Sequence, residues 1–355
     1  MTEFLDVTWV AFGLTGRILS TAEMSEQPNP VPAGVFRSAV AITRLVNLTG
    51  STMKPSKKCF ALAVLVVPAY VSCGSLRDTP LSDAASSRPA AGTTFFQEAS
   101  WSPDGSRLAL SRLDIHDAYR SSIALINADG SGYTPLTSGP ADMWTAWSPD
   151  GSRIAYASTV DDNRDIYVMT VDGSNRVRLT SHADEDTHPD WSPDGSRIAF
   201  VSRRDGASHV YVMQADGSNQ IRISDTMEEK WNPHWSPDGR RIVYYGALEA
   251  GQDSVYVMNT DGSERSPLGA GIWPSWSVDG SRILFVLDDD VFEMKPDGTD
   301  RRRLFEDAVI ARWSPDGSRI AFVRITWSAP DGWPARSSVF VIDETGSDEQ
   351  RLTWD

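Results

Sequence analysis

The chain has 355 residues, 40% of them hydrophobic, which is enough to bury a large core, and a formal net charge of -15. That balance excludes the basic stripe with which proteins neutralise nucleic-acid phosphates. The two cysteines, Cys59 and Cys73, both lie in the first quarter of the chain, so neither a disulfide framework nor a thiolate metal site can hold the remainder together.

Residues 1–52 show no sustained helical or strand period and contain a Pro-rich break over 27–34. They read as a disordered stretch or as an extension ahead of the true start. From Met53 the pattern becomes MKPSKKCFALAVLVVPAYVSC: a basic cluster of Lys54, Lys57 and Lys58, an apolar run from Phe60 to Val71, then small residues. This is the layout of a secretory signal, and the run is short for a membrane span, which needs about 20 apolar residues. The segment Tyr70, Val71, Ser72, Cys73 resembles a bacterial lipobox, with Tyr70 where that motif usually has Leu. The resemblance implies a signal peptide over 53–73, lipidation of Cys73 and Met53 as the start. Residues 74–94, rich in Ser, Ala, Asp and Pro, are expected to form a flexible tether, because such a segment cannot bury enough apolar surface to offset chain entropy.

From residue 95 the chain is a repeat array. Close copies of Trp191–Phe200, WSPDGSRIAF, begin at Trp101, Trp147, Trp191, Trp235, Trp276 and Trp313. In the third copy, strand signals fall at 188–192, 197–202, 210–214 and 220–224, separated by the turns Pro193-Asp194-Gly195 and Ala215-Asp216-Gly217. Pro presets φ, Asp bonds the backbone ahead of it, and Gly takes the left-handed position without a Cβ clash. The glycine recurs in both turns of all six copies, although Val278 replaces the first-turn Pro in the fifth. Each repeat is therefore predicted to be a four-stranded antiparallel meander. Runs such as Ile198-Ala199-Phe200 are apolar without alternation, as in sheets covered on both faces. Six such sheets stacked around an axis give an all-β, six-bladed β-propeller over 95–355, with an open solenoid as the alternative. The repeated Trp is expected to pack blades, not to do chemistry.

The combination of WSPDGSRIAF, an IYVM-like third strand and a DGSN turn followed by RLT resembles the TolB-type propeller repeat, also called the WD-like or PD repeat. TolB itself resembles a two-domain protein with an α/β domain ahead of its propeller, and residues 74–94 are expected to leave no room for one.

In such a blade both Asp-Gly turns fall at one end of the ring, while the second-to-third-strand loops and blade connections fall at the other. Variation concentrates at that other end, which makes it the expected binding end. Three positions before the motif Trp stand Glu98, Trp144, His188, Asn232, Trp273 and Ile310; Trp144, His188, Asn232 and Trp273 are candidates for gripping a peptide or sugar at the channel mouth, with packing of the channel as the equal reading. The loops of blades 1 and 6 bring Tyr119, Arg120, Trp327 and Trp333 to the expected seam as an interface candidate. Asp184, Asp186 and His188 have metal-ligand chemistry at close spacing, although a solvated loop is the simpler reading.

No G-x-S-x-G nucleophile elbow occurs, and the five His form no triad order with a Ser. The sequence is thus expected to encode a non-enzyme without cofactor: a monomeric interaction module for an envelope protein partner, exported to the periplasmic or surface face of a bacterial membrane and tethered by lipid. A glycan or small-ligand binder, or a lyase or hydrolase acting at the channel mouth, is the alternative.

Overall fold

Six antiparallel sheets of four strands each, every one a simple meander, account for the chain from Thr94 onward. The structure is a computed structural model and describes residues 11–12, 18–19, 94–114, 120–139, 141–160, 163–224, 229–247, 253–327 and 334–353. Two units are distinguished. In Met1–Cys59 the described residues are an antiparallel pair of two-residue strands, Ala11–Phe12 and Ile18–Leu19; Phe60–Asp355 holds the six sheets. The signal, lipobox and most of the tether expected from the sequence lie outside the described residues. None of the described elements is a helix long and apolar enough to cross a membrane.

The innermost strands are Thr94–Trp101, Asp142–Trp147, Asp186–Trp191, Lys230–Trp235, Ile272–Trp276 and Ile310–Trp313. In blade 3 the others are Arg197–Ser202, His209–Gln214 and Ile221–Arg222, all within two residues of the predicted limits. The second strand of that blade is buried at every position after Arg197, as expected of a sheet covered on both faces.

Hydrophobic clusters sit between blades and define the ring. Trp147 packs with Ala109 and Leu125 of blade 1, Trp191 with Ala146 and Val168 of blade 2, and Trp235 with Ala199 and Val212 of blade 3. The last of these clusters closes the circle: Phe96, Trp101 and Leu110 of blade 1 meet Val323, Val339 and Leu352 of blade 6. Among the described residues no strand is exchanged across the seam. Instead the Ser337 hydroxyl donates to the Phe96 carbonyl at 2.8 Å, Trp101 Nε1 donates to the Arg312 carbonyl at 3.3 Å, and the Arg319 guanidinium lies 4.9 Å from the Trp101 ring centroid. The same arginine-on-indole stacking joins Arg153 to Trp191 and Arg197 to Trp235, so the seam repeats the ordinary blade contact.

The turns are as tight as their sequence implies. Gly195 has φ +69° and Gly262 φ +87°. A Cβ on Gly262 would stand 2.0 Å from the carbonyl oxygen of Ile223 in the preceding blade, so this glycine is required by close backbone approach as well as by its conformation.

Candidate functional site

Each innermost strand presents its free edge to the channel, and four of them carry a register shift near the same place: between Met143 and Ala146, Thr187 and Asp190, Trp231 and His234, and Ile272 and Ser275. The shift coincides with left-handed backbone at Trp144, His188, Asn232 and Trp273, with φ of 56°, 51°, 52° and 53°. A non-glycine residue at positive φ is uncommon, and its recurrence in one register marks a built bulge. Pro189, Pro233 and Pro274 follow directly, where an edge strand tolerates a missing N–H.

The bulges aim four predicted candidates inward. Trp144 and His188 stack with ring centroids 4.0 Å apart, His188 lies 5.9 Å from Trp273 and 5.8 Å from Trp231, and Trp273 lies 5.4 Å from Tyr245. His188, Asn232 and Trp273 are buried, and Trp144 is partly so. These rings form a cluster joining blades 2 to 5.

A cavity of about 290 Å³ lies on the other side of that cluster. Trp144, His188 and Asn232 bound its inner end, all six motif indoles wall it, and its outer lining is Pro103, Pro193, Pro237, Val278 and Pro315 of the first turns. This cavity thus opens at the Asp-Gly end, whereas the binding end expected from the sequence is the loop end.

A polar cluster forms the cavity floor. Arg312 Nη2 donates to Asn232 Oδ1 at 3.0 Å and lies 3.5 Å from Glu98 Oε1, and Arg312 Nη1 donates to the Pro274 carbonyl at 3.4 Å. Asp190 Oδ2 accepts the Trp235 backbone N–H at 2.8 Å, and Asp190 Oδ1 is 3.9 Å from His234 Nε2. Glu98 Oε2 and His234 Nδ1 are buried without a hydrogen-bond partner. Burial raises the Glu98 carboxyl above its ordinary range, against the pull of Arg312 and the Thr145 backbone. It pushes Asp190 up to about 7, opposed by the Trp235 N–H and Arg312 and assisted by Glu98. His188 and His234 are both driven down to about 3, first by burial; Arg164 and Arg312 add to this at His188, and Arg312 at His234. Both imidazoles are thus neutral at physiological pH, and Asp190 changes charge there.

Three members of this floor, Asp190, His234 and Arg312, escaped the sequence reading. They occupy one register, directly before the motif Trp, where the other blades have Ser100, Ala146 and Ser275. Charged or titratable residues at a position otherwise held by small ones were the available signal.

The remaining candidates do not join this site. Asp186 is fully buried and bound by Arg204 Nη2 at 2.9 Å, Asp184 sits on the surface 3.4 Å from His182 Nδ1, and His188 is in the ring cluster. Among the described residues no three His, Cys, Asp or Glu side chains converge as a metal set. Tyr119, Trp333 and Cys73 lie outside the described residues. Arg120 opens the third strand of blade 1 opposite Asp114, and Trp327 ends the second strand of blade 6 opposite Pro334, so the two loop bases do stand on neighbouring blades.

Outside the cavity, Asp104, Asp150, Asp194, Asp238, Asp279 and Asp316 ring the turn end, all exposed. Each accepts from its flanking turn residues, as where Ser192 Oγ donates to Asp194 Oδ1 at 2.6 Å and the Ser196 N–H at 3.0 Å. These bonds hold Asp194 down to about 2, so the ring is ionised at any physiological pH.

The fold recurs among solved structures. TolB from Acinetobacter baumannii superposes with a TM-score of 0.58 at 18% identity, over 74% of this chain and 64% of that one. An oligogalacturonate lyase in complex with manganese gives 0.51 at 15% identity over 74% and 78%, and the oligogalacturonate lyase of Vibrio parahaemolyticus gives 0.50 at 13% over 74% and 78%. At these identities the likeness concerns the fold, and this chain spans just under two thirds of the TolB structure. No curated protein matches the sequence. The TolB beta propeller domain matches residues 100–290, more than half of the chain, and with six complete blades around those residues the chain belongs to the TolB beta propeller domain family.

Proposed function

We propose that this propeller is a non-catalytic protein-interaction module of a bacterial cell envelope, held at the membrane through a lipidated Cys73, and that its partner engages the axial cavity at the Asp-Gly end. The observation that carries the reading is the cavity itself: indole and proline walls, a buried polar floor with unpartnered atoms, and a rim of exposed carboxylates. Apolar walls with a few convergent polar groups are what a binding site needs. Membership of the TolB propeller family supports an interaction role, and the similarity to TolB supports the envelope setting.

The test compares crosslinking from envelope membranes for three proteins: the wild type, Ser100→Phe, which fills the cavity wall, and Trp327→Ala/Trp333→Ala at the seam loops. Loss of one discrete partner with Ser100→Phe places the contact in the channel; loss with the double variant alone moves it to the loops and overturns the channel assignment. Incorporation of a lipid precursor that vanishes in Cys73→Ser supports the anchor, and incorporation that survives refutes it.

A second reading rests on Asp190. A carboxyl titrating at about 7 beside a neutral His234 is suited to proton transfer, which admits a channel lyase or hydrolase acting on a saccharide. Release of unsaturated or shortened products from oligogalacturonate, abolished by Asp190→Asn, would establish it in place of the binding role.

A further inference from the structure

The cavity floor is short of cations. Arg312 is the sole Arg or Lys among its lining residues, and its guanidinium is already engaged by Asn232, the Pro274 carbonyl and Glu98 Oε1. The hydroxyls of Ser100 and Thr145 share one hydrogen bond at 2.7 Å. On the floor the free capacity is that of acceptors: Glu98 Oε2 has no partner in a residue only 6% exposed, and Asp190 Oδ1 faces a neutral imidazole nitrogen at 3.9 Å, while the unpartnered donors, Nε1 of Trp191, Trp235, Trp276 and Trp313, belong to the walls. With Glu98 and Asp190 both ionised, the two carboxylates and Arg312 would together carry one unbalanced negative charge, which is costly away from water unless a cation joins them.

The approach to the cavity has the same sign. The six turn aspartates are exposed and ionised against one exposed turn arginine, Arg240, whereas the arginines three residues after the aspartates, such as Arg153, Arg197 and Arg319, lie half-buried over the indoles of the next blade. An anionic ligand would cross a carboxylate ring to reach one buried and one partly buried carboxylate and an occupied guanidinium. A neutral sugar could donate to the free oxygens but would leave the charge uncompensated. A primary ammonium does both, since it is three donors and a positive charge at one atom, with indoles on every side.

We infer that the axial cavity is a receptor for a primary ammonium, the side chain of a lysine carried on an extended segment of the partner, which comes to rest between Glu98 and Asp190. The inference deepens the channel reading above and rests on it. Capture of the ammonium ionises Asp190, so binding near neutral pH releases a proton.

The probe is an acetylated, amidated pentapeptide Gly-Gly-Xaa-Gly-Gly with Xaa Lys, norleucine or Glu, titrated into the full chain and followed by indole fluorescence and calorimetry. The lysine peptide is expected to bind saturably and about tenfold or more tightly than the norleucine peptide, with Glu98→Gln removing most of that margin. Val278 provides a variant that leaves the floor alone, because it stands on the rim and is 49% exposed. Val278→Lys should weaken the lysine peptide several-fold and Val278→Glu should strengthen it, both effects fading with added salt. Equal binding of the three peptides, tighter binding of the glutamate peptide, or a neutral saccharide that binds where the lysine peptide does not, overturns the proposal. If Ser100→Phe abolishes the envelope crosslink while the lysine peptide fails to bind, the channel reading stands and the ammonium claim falls. If neither the crosslink nor the peptide responds, both fall.

Discussion

The guanidinium of Arg312, on the innermost strand of the last blade, lies 3.5 Å from the carboxylate of Glu98 on that of the first, and both side chains are at least nine-tenths buried. The pair spans the seam of the ring, and Asn232 of blade 4 braces it from across the channel. Breaking such a pair strands the surviving charge, which typically costs about 3–5 kcal/mol. Arg312→Met should therefore destabilise the propeller by that order in denaturant unfolding. Glu98→Gln, which keeps the shape and removes a charge, should cost about 1–2 kcal/mol, as for a weakened buried hydrogen bond. Adding Glu98→Gln to Arg312→Met should recover part of the loss; strictly additive costs would show that the two charges are not coupled.

Two glycines with nearly the same backbone conformation separate strain from collision. Gly206 has φ +90° and no atom within 4 Å of where a Cβ would stand, whereas Gly262 has φ +87° and the Ile223 carbonyl oxygen at 2.0 Å. Gly206→Ala should cost only the left-handed conformation, about 1–2 kcal/mol. Gly262→Ala must also push two blades apart and should lower the melting temperature distinctly further. Equal costs would mean that the blade contact yields freely.

What the sequence made legible follows from periodicity. Twelve glycines in phase and six Trp in register fixed the number of blades, their strands and the packing role of the indole, because each of these is dictated by residues a few positions apart. The site was less legible because it is assembled across the axis. Trp144, His188, Asn232 and Trp273 were found by register, but their mutual stacking depends on bulges and on the diameter of the ring, neither of which a single repeat encodes. Arg312 and Glu98 are more than two hundred positions apart and meet only because the ring closes.

Asp190 gives the stability of the fold a pH dependence of definite sign. Burial raises it from the ordinary 3.8 to about 7 in the folded chain, so between these values the folded state keeps a proton that the unfolded state has released. Its contribution is fully present below the ordinary value, declines as pH rises towards about 7, and is flat beyond. Asp190→Asn removes the titration and can still accept the Trp235 N–H. The variant should exceed the wild type in stability by on the order of 2–4 kcal/mol at about pH 8 and show little of that gain at about pH 4. A constant difference across that range would place Asp190 in contact with water. His188 and His234, both held down to about 3, act in the opposite sense: they favour the fold above their ordinary 6.5 and weaken it as pH falls.

Closure with no strand exchanged among the described residues makes a quantitative demand on the last repeat. Leu352 is fully buried in the cluster that joins blade 6 to blade 1, and Leu136 holds the corresponding place between blades 1 and 2. If side-chain packing alone seals the ring, the seam must be as well packed as any other blade contact. Truncating a buried leucine to alanine costs about 2–5 kcal/mol, the spread reflecting how far the site can collapse. Leu352→Ala and Leu136→Ala should therefore fall within about 1 kcal/mol of each other in denaturant unfolding. A much smaller cost for Leu352→Ala would identify the seam as the weak contact, the one that opens before the ring unfolds. A matching cost, with unchanged steepness of the unfolding transition, would show that the six blades share one cooperative core.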